Sequence, residues 1–191
     1  MTMYPSIAVA KLIVDESALA AADQIIQRVA FESMSSDRNE ALSLWVDAET
    51  RGGHLAIASS LEDAPHDHAW MRMETIVGPE VLESAFGLAD LHPMLPHRIH
   101  GLPARRIELG QYASVSTRRA DPGYTEQLLD EMEQIFETLR YIDGYLGSAV
   151  GTNPALPEEI IGLVFWRDLR SYEDSGPRKG LYEIRLYERV I

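Results

Sequence analysis

Seven consecutive residues, Ile160-Ile161-Gly162-Leu163-Val164-Phe165-Trp166, carry no charge and almost no polarity. The run is far too short to cross a bilayer, which takes about 18 residues or more. An unbroken apolar stretch of this length reads as a strand in the middle of a sheet. A central strand demands neighbours on both sides, and the flanking sequence supplies them.

Upstream, Ile107, Leu109, Gln111, Ala113 and Val115 alternate with Glu108, Gly110, Tyr112, Ser114 and Ser116, the period of a strand. Asp121-Pro122-Gly123 breaks that strand. Asp121 is expected to cap a following helix, with Pro122 in its first turn. Leu128, Met132, Ile135, Phe136 and Leu139 recur at helical spacing, and Gly144 and Gly147 end the segment. Leu146–Thr152 is a short strand, and Asn153-Pro154 with Pro157 a loop before the apolar run. Leu169–Ser175 allows one short helix before Gly176-Pro177. Tyr182, Ile184, Leu186 and Val190 then alternate with Glu183, Arg185, Tyr187 and Arg189. The order is β-α-β-β-α-β, a ferredoxin-like unit of the α+β class. Its sheet has an apolar side that another sheet must cover.

The N-terminal half reads as a degenerate copy. Ile7–Val14 is a strand, and Leu19, Ala22, Ile26 and Val29 mark a helix face. Ala41–Val46 and His54–Ser59 are strands joined at Arg51-Gly52-Gly53. His68–Val77 and Pro79–Leu88 are helical. The first strands of the halves lie about 100 residues apart, roughly one such unit. The expected division is a degenerate unit at 1–89, a Pro- and His-rich linker at 90–104 and a second unit at 105–191. One unit behind an unrelated extension is the other reading. Two units would close a barrel within one chain, whereas one would need a homodimer.

The formal net charge is -13, from 17 Lys and Arg against 30 Asp and Glu. Such a surface repels nucleic acid and anionic membranes alike. The chain has no cysteine, so disulfides, thiolate metal sites and a Cys nucleophile are excluded. The opening residues do not read as a secretory signal, and a cytoplasmic protein is expected.

Gly144-Tyr145-Leu146-Gly147-Ser148, followed by Leu163-Val164-Phe165-Trp166-Arg167-Asp168-Leu169, resembles the antibiotic-biosynthesis-monooxygenase family over roughly the last 85 residues. That family typically shows a Gly-aromatic-Leu-Gly turn after its first helix and a strand-end Trp before an acidic residue and a short helix. The resemblance implies a dimeric α+β barrel with cavities between sheet and helices that take small hydrophobic or aromatic molecules. It implies a cofactor-independent monooxygenase of a small aromatic or quinol-like compound, or a non-catalytic ligand-binding or structural relative. The haem-degrading branch adds an Asn on the first strand and a His on the second helix. Ile107–Thr117 holds no Asn, and no His follows Trp166, so only the Trp of that set is present.

The candidate pocket residues are Gln111, Tyr112, Tyr145, Trp166 and Tyr172. Trp166 offers a flat wall or plain packing. Gln111 is a polar residue on an apolar phase, and the tyrosines could hydrogen-bond a quinone-like oxygen. No general base is evident. His66-x-His68 and His97-x-x-His100 have ligand-like spacing, but no carboxylate completes a metal motif, and no metal site is assigned. Gly-x-Ser-x-Gly and phosphate-loop patterns are absent.

Overall fold

The computed structural model describes residues 6–13, 19–33, 40–50, 53–60, 68–81, 90–100, 110–153, 156–176 and 183–190. The N-terminal half runs β1 (Ser6–Ile13), α1 (Leu19–Ser33), β2 (Glu40–Asp47), β3 (Gly53–Ser60), α2 (His68–Val77) and β4 (Asp90–His100). The C-terminal half repeats the order with β5 (Tyr112–Arg119), α3 (Thr125–Leu139), β6 (Tyr145–Asn153), β7 (Leu156–Trp166), α4 (Leu169–Asp174) and β8 (Glu183–Arg189). No helix among the described residues is long and apolar enough to cross a membrane.

The eight strands close a barrel in the order β1-β3-β2-β8-β5-β7-β6-β4, antiparallel throughout. Within each half the strands lie in the same order: last, first, third, second. Two seams join the halves. β4 meets β6 over five register pairs, while β2 meets β8 over only three, Trp45↔Arg189, Val46↔Glu188 and Asp47↔Tyr187.

The apolar run is the middle of this arrangement. β7 lies between β5 and β6 and is buried on both faces from Ile160 to Trp166. Its odd members, Ile161, Leu163 and Phe165, enter the barrel with Ala113, Val115, Ala149, Trp45, Ile57 and Tyr187. Its even members, Ile160, Val164 and Trp166, lie under the helices with Leu128, Leu129, Met132, Phe136 and Tyr172. Gly162 is small for a reason: a Cβ there would stand 2.6 Å from Phe136 Cζ and 2.8 Å from Met132 Sδ. Its absence lets α3 settle directly on the sheet.

Several local expectations are corrected. Asp121 does not cap α3. Its carbonyl accepts from Tyr124 N–H at 3.0 Å, with Gly123 at φ 84°, so Asp121–Tyr124 has the form of a Pro-Gly type II turn. The helix starts at Thr125 with no side-chain cap. The stretch read as a linker holds β4 instead of a loop. Pro96 is accommodated because the ladder shifts register between Pro96 and Arg98, and an irregular step dispenses with the missing donor. Pro157 belongs to the exposed start of β7. Of Pro79–Leu88, only Pro79–Val81 is described, and it is helical. Ile107, Leu109 and His66 fall outside the described residues, while His68 opens α2 and His97 and His100 lie in β4.

Candidate functional site

Four of the five pocket candidates come together. Tyr112 and Tyr145 are the register partners of Trp166 on either side, so they form a row across β5, β7 and β6 at one end of the sheet. Tyr172 reaches the row from α4. Its ring meets Trp166 edge-on at 6.3 Å between centroids, and Tyr145 does so at 6.1 Å, an arrangement that suits the ring quadrupoles. Gln111 does not join them. Its side chain is exposed, and its backbone carbonyl accepts from Arg189 N–H at 2.8 Å.

The centre of this cluster is closed, while Tyr112 and Tyr145 are half-buried. Trp166 is 1% exposed, and its indole Nε1–H donates to the buried Ser114 Oγ at 3.0 Å. The Tyr145 and Ser148 hydroxyls pair at 2.7 Å. Burial pushes the Tyr145 phenol above its ordinary pKa, against the downward pull of Ser148. Burial and then the Glu188 carboxylate push Tyr112 up as well. Both phenols therefore keep their protons at neutral pH and can donate but not act as bases.

The two segments that carry the family resemblance are the two sides of one joint. Arg167 N–H donates to the Gly144 carbonyl at 2.8 Å. The Arg167 guanidinium holds both oxygens of Asp143, at 3.2 and 2.9 Å. Gly144 has φ 86°, and a Cβ on it would lie 2.0 Å from Ser171 Oγ. Asp168 caps α4, with Oδ1 accepting from Ser171 N–H at 2.9 Å and Ser171 Oγ–H at 2.7 Å. Those two bonds, with Arg167 beside them, hold the Asp168 carboxyl down to about 2. So weak a base is suited to capping, not to proton abstraction.

A half-open cavity of about 350 Å³ lies elsewhere, where β2 stops short of β8. The cause is local. Asp47 Oδ1 accepts from Glu49 N–H at 2.9 Å and Thr50 N–H at 2.7 Å, which turns the chain back at the end of β2. The last seam bond is Ala48 N–H to the Leu186 carbonyl at 2.9 Å. Beyond it, Glu183–Arg185 have no register partner on β2. The cavity is lined by Asp47, Glu49, Thr50 and Glu183–Leu186. Nothing in the periodicity singled out Asp47 or Arg185. The detectable signal was the Asp47-Ala48-Glu49-Thr50 turn chemistry just before Arg51-Gly52-Gly53.

No family model and no curated protein matches the sequence. Solved structures do match, and along its whole length. A proposed monooxygenase from Fusobacterium nucleatum superposes with a TM-score of 0.74 at 11% identity, covering 100% of this chain and 94% of its own. An anthrone oxidase-like protein gives 0.66 at 10% identity, with 99% and 92% covered. A Listeria monocytogenes ferredoxin-fold protein related to antibiotic biosynthesis monooxygenases gives 0.54 at 8% identity, with 99% and 97% covered. The fold is the ferredoxin-like α+β barrel that these structures share. In this chain the barrel is closed by two halves of one polypeptide. The likeness at such low identity is one of fold, and function is argued separately.

Proposed function

We propose that the chain is a cofactor-independent monooxygenase acting on a small aromatic or quinol-like compound. The observation that supports this reading is that the ABM-like fold extends over both halves together, in common with a proposed monooxygenase and an anthrone oxidase-like protein. A cavity of about 350 Å³ is within the range that holds small ligands. In such a reaction the protein would exclude water and orient the ring toward O₂. The Trp166 cluster contributes the rigid end of the sheet, because its rings already fill their own space.

The closed cluster also favours a second reading, a non-catalytic barrel that binds a small hydrophobic molecule. Oxygen uptake separates the two. With anthrone as probe, one anthrone and one O₂ give one anthraquinone and one water, so no outside reductant enters. The oxygenase reading expects O₂ loss and anthraquinone in equal amounts, both proportional to protein. Turnover no faster than without protein, alongside saturable binding, establishes the non-catalytic reading.

A further inference from the structure

The cavity beside the short seam contains an unsatisfied atom. Asp47 is 4% exposed, and its Oδ1 is fully used by the two turn N–H groups. Its Oδ2 accepts no hydrogen bond among the described residues. The nearest cation is Arg185 Nη1 at 3.7 Å, beyond hydrogen-bond reach. A buried carboxylate oxygen left in this state calls for a donor. Arg185, which also lines the cavity, spends its Nε–H on Glu183 Oε1 at 3.0 Å and not on Asp47.

A single hydroxyl satisfies both groups. Its O–H donates to Asp47 Oδ2, and its oxygen accepts from Arg185, with two bonds of ordinary length spanning the 3.7 Å gap. Ile184 and Leu186 supply apolar atoms to the same wall. Glu49 and Glu183 add negative charge, so the lining as a whole carries more carboxylates than cations. An anionic ligand is disfavoured there.

We infer that this cavity is a binding site for an uncharged hydroxyl-bearing aromatic molecule, whose hydroxyl bridges Asp47 Oδ2 and Arg185. The aromatic ring rests on the oxygenase reading above; the hydroxyl follows from the unsatisfied carboxylate. The site needs both halves, since Asp47 ends β2 and Arg185 lies in β8.

Fluorescence titration of the intact protein with 2-naphthol, without oxygen, tests it. Asp47→Asn keeps an acceptor for the turn but puts an amide in place of the free oxygen. Arg185→Leu leaves the turn untouched and is the safer variant to fold. Each is expected to raise the Kd for 2-naphthol at least tenfold while circular dichroism stays unchanged. Binding of 2-naphthoate, the anion of similar shape, is expected to be at least tenfold weaker than that of 2-naphthol. Unchanged 2-naphthol affinity in the folded Arg185→Leu protein overturns the site and leaves water as the partner of Asp47. Equal affinity for 2-naphthoate overturns the ligand class. Unchanged 2-naphthol affinity in Arg185→Leu together with anthrone turnover by the parent overturns the site while sparing the oxygenase reading. Binding that depends on Asp47 and Arg185 without any turnover sinks the oxygenase reading and keeps the site.

Discussion

Trp45 and Phe165 meet inside the barrel with ring centroids 5.9 Å apart and planes tilted by 40°. One comes from β2 and the other from β7, so the pair joins the two halves at the core, not only along the seams. Both are fully buried. A double-mutant cycle with Trp45→Leu and Phe165→Leu, followed by urea denaturation, is expected to give a coupling of about 0.5–1.5 kcal/mol beyond the single losses. Additive losses would mean that the rings merely occupy neighbouring space.

Ser114 and Trp166 give a sharper contrast. Ser114→Ala leaves a buried indole N–H without its acceptor, at a cost of about 1–3 kcal/mol. Trp166→Ala removes a whole buried side chain and is expected to cost about 3–5 kcal/mol. Denaturation midpoints rank the two variants. Equal stability of Ser114→Ala and the parent would show that the indole finds another partner.

Gly144→Ala places a methyl group against Ser171 Oγ on a backbone at φ 86°. The conformation alone costs an alanine about 1–2 kcal/mol, and the clash adds to it. In a Ser171→Gly background, itself weakened by loss of the bond to Asp168, adding Gly144→Ala is expected to cost only the conformational part. A thermal melt of the set reads this directly, and no cost in that background would show that the backbone angle carries no penalty.

Tyr187 points into the barrel, and its phenol is pushed up to about 12, first by burial, with Arg185 pulling down and Asp47 and Glu183 pushing up. The ordinary phenol pKa is near 10. The folded state therefore holds this proton where the unfolded chain releases it. Its contribution is complete below pH 10 and is lost as pH rises toward 12, about 2–3 kcal/mol in all. Urea midpoints of the parent should fall more steeply over that window than those of Tyr187→Phe. Parallel slopes would show that the phenol titrates normally.

Periodicity made most of the C-terminal half legible. Leu128, Met132 and Phe136 lie on the buried face of α3 as their spacing requires, although Ile135, given the same face, is partly exposed. Tyr112, Trp166 and Tyr145 were each visible as aromatic residues, but their row depends on the register of β5, β7 and β6. Tyr187 was obscured because both faces of β8 are covered: Leu186 packs under the helices and Tyr187 in the barrel. A two-sided strand blurs the alternation that a one-sided strand displays. β4 was obscured by Pro93 and Pro96, which argue for a loop until a ladder irregularity admits them. Gln111 kept its polar character by staying in solvent. Asp47 and Arg185 were invisible for another reason: they lie far apart in sequence and become neighbours only when the barrel closes.

That closure is unequal at its two seams. Trp45 and Arg189 pair across most of the chain, whereas the β4·β6 partners His100 and Ser148 are separated by a much shorter stretch. Bringing distant segments together costs more chain entropy, and three register pairs return less than five. The β2·β8 contact is accordingly the costlier of the two seams to close and the one held by fewer register pairs.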